Sequence, residues 1–417
     1  MSALCVRGVN GKQVSNTMIN KLFFALIFLS LFLSSGWVEV VSAQKHIPVI
    51  KATSDHSVIY DGTDVKIDWK LDPKLRPDIY YVNIPYKKSK VELVTDQQRI
   101  SFNTQYGESH NLIVLLNGKD SCFVRIMAKE DPSFNSLKPA GPYPLEIPFT
   151  IIGSRIYCKG LLNEKEEVNI QFDLGAGTSC VNKLSSEKLK LTFTGKSTIS
   201  NTQGTNEART SSGNTLKIGN AVWNDIPLTE VGNMKAEEDL IVGNSFFRDK
   251  IIEIDYDRKI MMVYTELPAK AKEFKKQRVF YEQNRPKFNV SFVQNDKKYS
   301  FWFLFDTGRD GTMLIGDDFT SQGKNWENLK ELQMVNERKL VRLNAFIGGR
   351  EFKDIVTNAA DPLKPTGRPT LFGNQILSQF NVILDNTKGM LYLKPNGREK
   401  EPYMNYERYL KEVVNKK

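Results

Sequence analysis

Two aspartates stand in closely matched surroundings. Asp173 lies in "VNIQFDLGAGTSC" and Asp306 in "FWFLFDTGRDGTM"; each ends an apolar run and is followed two residues later by a glycine, Gly175 or Gly308. Downstream of the first comes "DLIVGNSFFRDKIIEIDYDRKIMMVY", and downstream of the second "TLFGNQILSQFNVILDNTKGMLYLKPN". Asp173 precedes Gly243 by 70 residues (243 − 173), and Asp306 precedes Gly373 by 67 (373 − 306). In both copies an Asn follows the glycine, and a further aspartate, Asp255 or Asp385, stands 12 positions beyond it (255 − 243 and 385 − 373). A lone Asp-Ser/Thr-Gly arises by composition on the order of 0.2 times in a chain of this length. One copy would therefore say little, but two copies in the same context read as an internal duplication. Each half offers one carboxylate. Two carboxylates brought face to face share a proton and activate a water, which is chemistry suited to amide hydrolysis.

The flanking residues fit that role. Gly175 and Gly308 lack a Cβ, so the backbone of each turn can approach a substrate and the opposite half closely. Amides within such a turn can hydrogen-bond the carboxylate and hold it against its twin. Two carboxylates in contact resist double ionisation, so the pair titrates as a unit. The ionised member takes a proton from water while the protonated member donates to the scissile carbonyl, and neither a metal nor an organic cofactor is required. A thiol nucleophile is the competing reading, since Cys180 lies seven residues past Asp173 (180 − 173). Beyond the leader the histidines are His46, His56 and His110, none near a Cys in sequence, so buried structural cysteine is the better reading of Cys122, Cys158 and Cys180. Three is odd, allowing at most one internal disulfide. No His or Cys pair has metal-ligand spacing.

The elements that must position these residues are strands. Residues 44–147 carry short alternating runs, "VKIDWKL", "KVELVTD", "RISFNTQ", "NLIVLLNG" and "CFVRIMA", broken at turns such as Asp61-Gly62 and Asn117-Gly118. They predict an all-β domain resembling a small sandwich. "NSLKPAGPYPLEIP", with four prolines, reads as a connector. A first repeat is expected over 148–270 and a second over 271–397, joined by the lysine-rich "ELPAKAKEFKKQRV". The runs "VNIQFDL" and "YSFWFLFD" predict strands buried on both faces. A helical turn is expected after each Gly-Asn, at "SFFRDK" and "QILSQF", each handing over to a strand, "IIEID" or "NVILD". The tail 398–417 reads as a surface helix with solvated charges.

At its N-terminus the chain reads as an export signal: Lys21, the apolar run Leu22–Leu33, and a small-residue cleavage site at Val41-Ser42-Ala43, with Met18 a candidate start. That run is shorter than the roughly 20 residues of a membrane-spanning helix. The expected product is an exported protein, in the periplasm, outside the cell or at the envelope, with no stable membrane span. The whole chain has net charge +10, and removing 1–43 takes away a net of +2, leaving +8 (10 − 2). This charge is scattered, with no basic stripe interleaved with aromatics, which argues against nucleic acid as a partner.

These motifs carry a family resemblance. With "FDLGAG", "FDTGRDGT" and both closing signatures, the chain resembles a clan of aspartic peptidases that includes retropepsins and pepsins, most of all exported bacterial retropepsin-like proteins. Upstream, "KVELVTDQQRISFNTQYGESHNLIVLLNGKDSCFVRI" resembles the β module that precedes such lobes. The resemblance implies a mainly-β chain: an N-terminal β-sandwich-like domain followed by two homologous retropepsin-like lobes of the acid-protease fold. It implies Asp173 and Asp306 as catalytic, with Gly243 and Gly373 bracing each catalytic loop from beneath. A peptide or protein is the implied substrate, and one site per chain makes a monomer sufficient. The family pattern places Thr or Ser after each catalytic Asp, whose hydroxyl grips the opposite loop. Thr307 can do this and Leu174 cannot, leaving Thr178 or Ser179 as nearby hydroxyls that could substitute. Arg309 and Asp310 stand where small residues are usual, and a cation there would lower the pKa values of the pair. Leu174 and Arg309-Asp310 keep a second reading open: a catalytically silent envelope protein that binds peptides or glycans. A mobile flap is expected at "STISNTQGTNEARTSSGNTLKIG" and a plain hairpin at "ELQMVNERKLVRLNAFIGG".

Overall fold

The strands that end at the two aspartates start exposed and become buried as they approach them, Glu166–Phe172 by alternation with Gln171 also buried and Lys297–Phe305 by an apolar run. Val168, Ile170 and Phe172 on one, and Phe303, Leu304 and Phe305 on the other, are all 2% exposed or less. In the computed structural model residues 46–132, 139, 142–201, 204–336 and 338–414 are described, so the expected signal segment lies outside them. Among these residues the chain is mainly β, arranged in several sheets.

The N-terminal module is two four-stranded sheets packed face to face. One runs in the order Val49–Ala52, Ser109–Leu116, Asp120–Met127, Asp78–Tyr81; the other in the order Val65–Lys70, His56–Asp61, Ser89–Val94, Arg99–Thr104. Alternation places Leu112, Val114, Val124 and Ile126 from the first against Ile59, Val91 and Leu93 from the second in one core. This is the sandwich that the alternating runs predict. The Asn117-Gly118 turn has positive φ at both residues, 53° and 67°, which suits those two residue types. A loop ties the module to the rest, beside the ion pair of Asp64 with Arg278 (2.9 Å). Asp61 accepts hydrogen bonds from the Tyr80 hydroxyl (3.0 Å), the Asn83 amide (2.7 Å) and the Ser89 hydroxyl (2.6 Å). Asn83, so fixed, bonds both backbone groups of Tyr281, at 2.6 and 2.9 Å. Ile84 beside it enters the main core of the lobes.

The first lobe is an eight-stranded sheet in the order Thr150–Ile152, Arg155–Leu162, Glu166–Phe172, Leu240–Val242, Cys180–Asn182, Ala221–Val231, Gly204–Ile218, Gly195–Asn201. The second lobe repeats its central part. Lys297–Phe305 pairs parallel with Leu371–Phe372, as Glu166–Phe172 does with Leu240–Val242, and Met313–Leu314 then pairs antiparallel with Leu371–Phe372. Between the lobes runs an antiparallel sheet in the order Leu145–Pro148, Ile260–Tyr264, Ile251–Asp255, Phe380–Asp385, Met390–Pro395, Lys275–Glu282. At its middle, Ile251–Ile254 pair with Asp385–Val382.

Single helical turns follow each Gly-Asn, Asn244–Phe247 and Asn374–Leu377, and lead into the two middle strands as expected. Asp255 and Asp385 close those strands. Each accepts backbone amides of the turn that follows, Arg258 for one and Thr387 and Lys388 for the other. The supposed connectors are partly strand. Leu145–Pro148 forms the outer strand of the central sheet, burying Leu145 and Ile147, and an edge is where prolines are tolerated. The lysine-rich link forms a short helix, Ala269–Glu273, and then Lys275–Glu282 joins the same sheet. The tail is a helical turn, Tyr406–Tyr409, which buries Tyr409 against Leu340 and Val356 rather than floating free. No helix among the described residues is long and apolar enough to cross a membrane.

Asn83→Ala removes two hydrogen bonds to backbone that is otherwise shielded from water, a loss of about 1–3 kcal/mol. Urea unfolding should show a lower midpoint, with the unfolding free energy reduced by that amount; an unchanged midpoint would mean that the loop does not anchor the module.

Candidate active site

Each aspartate is set by strand register. Phe172 lies opposite Val242, and Phe305 opposite Phe372, so both Asp residues follow the same step of a parallel pair. The amides of Asp173 and Asp306 donate to the carbonyls of Val242 (2.9 Å) and Phe372 (3.0 Å). The chain then turns across the next glycine. A Cβ on Gly243 would lie 2.3 Å from the Ala176 carbonyl oxygen, and one on Gly373 would lie 2.4 Å from that of Gly311. Neither glycine has positive φ. Close passage of the Asp-bearing loop, and not backbone conformation, therefore demands glycine at both positions.

The two loops meet. The Gly308 amide lies 3.0 Å from Asp173 Oδ1 and 3.1 Å from Asp306 Oδ1, so one backbone donor touches both carboxyl groups. Gly175 N–H donates to Asp173 Oδ1 at 2.7 Å and Arg309 N–H to Asp306 Oδ1 at 2.9 Å. Gly175 and Gly308 leave room for the contact. A Cβ on Gly308 would sit 2.2 Å from Asp173 Oδ2, and one on Gly175 2.7 Å from the Asp306 carboxyl.

What holds the loops together is asymmetric. Thr307, fully buried, accepts from the Leu174 amide (2.9 Å) and donates to the Phe172 carbonyl (3.2 Å), reaching from one lobe into the other. Leu174 is buried in the main core and offers no hydroxyl in return. Thr178 is exposed, and Ser179 meets Thr229 through its backbone carbonyl. The first lobe instead grips with Arg155 and Gln171, whose Nε and Nε2 donate to the Gly308 carbonyl at 2.6 and 3.2 Å. Arg155 is held by Glu238 (3.4 Å), which also accepts from the Tyr157 hydroxyl (2.7 Å). Asn244 and Asn374 add a reciprocal pair of ties. Asn374 Nδ2 donates to the Ser154 carbonyl in the first lobe, and Asn244 Nδ2 donates to the Asn284 carbonyl in the second (3.1 Å). The repeated Gly-Asn was visible in the sequence, but its crossing over was not. Arg155 and Gln171 carried no signal, since neither belongs to a repeated motif.

Electrostatics separates the two acids. Burial, then the neighbouring Asp306 charge, raises the Asp173 carboxyl well above the usual carboxylate range. Burial also raises Asp306, but the Arg309 guanidinium opposes that rise, in the direction the sequence suggested. The pair thus keeps one proton between its two carboxyl groups, and the Arg309 guanidinium favours the charge on Asp306. Cys180 is a free thiol, pushed up to about 12 by burial first and then by the negative charge of the dyad at Asp173, so it is not poised as a nucleophile. Among the described residues no group of three His, Cys, Asp or Glu could hold a metal ion. The expected flap is a hairpin, Gly195–Asn201 with Gly204–Ile218, whose tip at 202–203 lies outside the described residues; Glu331–Val335 and Arg338–Ile347 form the counterpart.

Against known proteins, a family model described as aspartyl protease matches residues 158–246, the stretch holding Asp173 and Gly243. Among solved structures, the aspartic proteinase from Irpex lacteus is similar over 62% of this chain and 98% of its own, with 12% identity and a TM-score of 0.42. No curated protein matches the chain.

Thr307→Val removes both bonds that cross from this side chain. Positional drift near 1 Å costs on the order of 100-fold in rate, so a fall of about that size in kcat is expected, and wild-type turnover would refute the grip. The pH dependence of stability gives a second prediction. Burial and the Asp306 charge raise the Asp173 carboxyl, so the folded dyad holds a proton that the unfolded chain releases above about pH 3.9; the penalty is absent below that pH and grows as pH rises toward the folded pKa. Asp173→Asn should therefore raise the melting temperature at pH 7 and leave it nearly unchanged at pH 3.5. An equal change at both values would show that the carboxyl is not held protonated.

Proposed function

We propose that the chain is an exported aspartic endopeptidase, built from two duplicated lobes and competent as a monomer, in which Asp173 and Asp306 hydrolyse peptide bonds. The observation that carries this reading is the pair of carboxyl groups, one from each lobe, meeting at the Gly308 amide. Asp306, the charged member, takes a proton from a water lying between the acids. The resulting hydroxyl adds to the scissile carbonyl carbon while Asp173 gives its proton to the carbonyl oxygen. The gem-diol then collapses. Asp306 passes its proton to the departing nitrogen as the C–N bond breaks, Asp173 recovers a proton from the diol, and both acids return to their starting states. Burial strengthens each of these interactions by excluding competing water. The dyad itself asks for no cofactor.

A specific observation favours a second reading, a silent scaffold that binds peptides or glycans. Leu174 leaves the second loop without the hydroxyl grip that the first loop receives, and Arg155 occupies the Gly308 carbonyl beside the dyad. Incubating residues 44–417 with a diverse peptide library from acidic to neutral pH separates the two. Cleavage by the wild type that disappears in Asp306→Asn is the expected result. Binding of peptides or glycans without cleavage at any pH would establish the scaffold instead.

A further inference from the structure

Arg309 follows the dyad glycine directly, yet its Nε is buried and has no hydrogen-bond partner among the described residues. Unsatisfied buried donors are uncommon and call for a cause. The backbone of Arg309 is fixed, its amide on Asp306 (2.9 Å) and its carbonyl on the Asn374 amide (2.8 Å), so the side chain springs from a rigid base. Strand register brings a further cation toward the same loop. Ile315, shortly after the loop, bridges Ala359, which pairs with Lys339, and Arg338 is the next residue along that strand. The Arg368 carbonyl lies against Gly316, where a Cβ would be 2.2 Å away. Arg338 and Arg155 each disfavour the charge on Arg309, and Arg338 and Arg309 do the same to Arg368.

Among the described residues, three carboxylates near Arg309 are already engaged elsewhere. Glu238 is engaged with Arg155 and Tyr157, and Asp310 accepts from the Ser154 hydroxyl at 2.8 Å. Asp306 attracts Arg309, but its Oδ1 already receives two backbone amides. Like charges gathered in a partly desolvated place raise the energy of the free protein, and an incoming anion lowers it. Guanidinium groups suit a planar, two-oxygen anion, which they bind through paired N–H donors.

We propose that Arg309 and Arg338 form a carboxylate-binding subsite beside the dyad, so that preferred substrates are peptides carrying a carboxylate close to the scissile bond. This rests on the peptidase reading above. The carboxylate can come from a Glu or Asp side chain or from the C-terminus of a short peptide; the chemistry is shared.

The test is a matched peptide panel with one Glu walked through the four positions on either side of the cleaved bond, Gln at the same positions, and each peptide with a free or amidated C-terminus. Wild-type kcat/KM is measured for all, and binding to Asp306→Asn is followed by fluorescence anisotropy. A charge-assisted pair is expected to favour one Glu position over Gln on the order of tenfold or more, an advantage that shrinks with added salt. Preference for the free over the amidated terminus instead would assign the same subsite to the chain end. Arg309→Met and Arg338→Met should each bring the acid-to-amide ratio toward one, with Arg338→Lys keeping part of it. Cleavage indifferent to every carboxylate, or a ratio surviving both Met variants, overturns the subsite and leaves the peptidase reading intact. Carboxylate-dependent binding with no cleavage anywhere removes the peptidase reading and leaves the subsite.

Discussion

Two acids that repel when both are charged are kept in contact, and the structure around them serves that constraint. Each carboxyl comes from a different lobe, so the contact exists only where the lobes are locked together. Burial makes double ionisation costly and keeps a proton on the pair. The central antiparallel sheet sets the gross position of the lobes, and a much smaller set of polar ties between the loops sets the final ångström. Disturbing the ties should affect reactivity before it affects folding, because the hydrophobic core runs through both lobes irrespective of them.

Those ties are not equivalent on the two sides. Thr307 reaches into the first lobe with its own hydroxyl, donating and accepting at once. The return grip does not come from the matching residue, Leu174, but from Arg155 and Gln171 clasping the Gly308 carbonyl. A charged donor makes a stronger hydrogen bond than a neutral hydroxyl, which compensates for the missing partner. Arg155 also brings a cation near the second loop, where Arg309 already lies. The departures from a symmetric pattern are thereby concentrated on one side of the site, and the two acids acquire different proton affinities.

Much of this was legible in the chain, for physical reasons that can be named. Apolar runs ending at Asp173 and Asp306 signal buried strands because periodicity reports burial, and the glycines flag close approach because no other residue fits. The alternating runs before residue 128 gave the sandwich by the same logic. What was hidden depends on contacts between residues far apart in sequence. Arg155 meets Gly308 across 153 positions, and Asn374 meets Ser154 across 220. Leu145–Pro148 read as linker because the prolines before and at its end outweigh four residues of alternation, and only its neighbour Ile260–Tyr264 makes it a strand. Asp255 and Asp385 were conspicuous by repetition, but their work is closing turns and not chemistry.

The most direct measurement is a titration of the two acids themselves. With aspartate side chains carrying carbon-13 at the carboxyl, NMR spectra recorded across acidic to neutral pH follow the protonation of Asp173 and Asp306, assigned through Asp173→Asn and Asp306→Asn. A shared-proton pair predicts two well-separated steps, the upper one far above the ordinary carboxylate range, with both resonances responding to each step. Two independent titrations near the ordinary value of about 3.9 would contradict the dyad, whatever the lobes are found to bind.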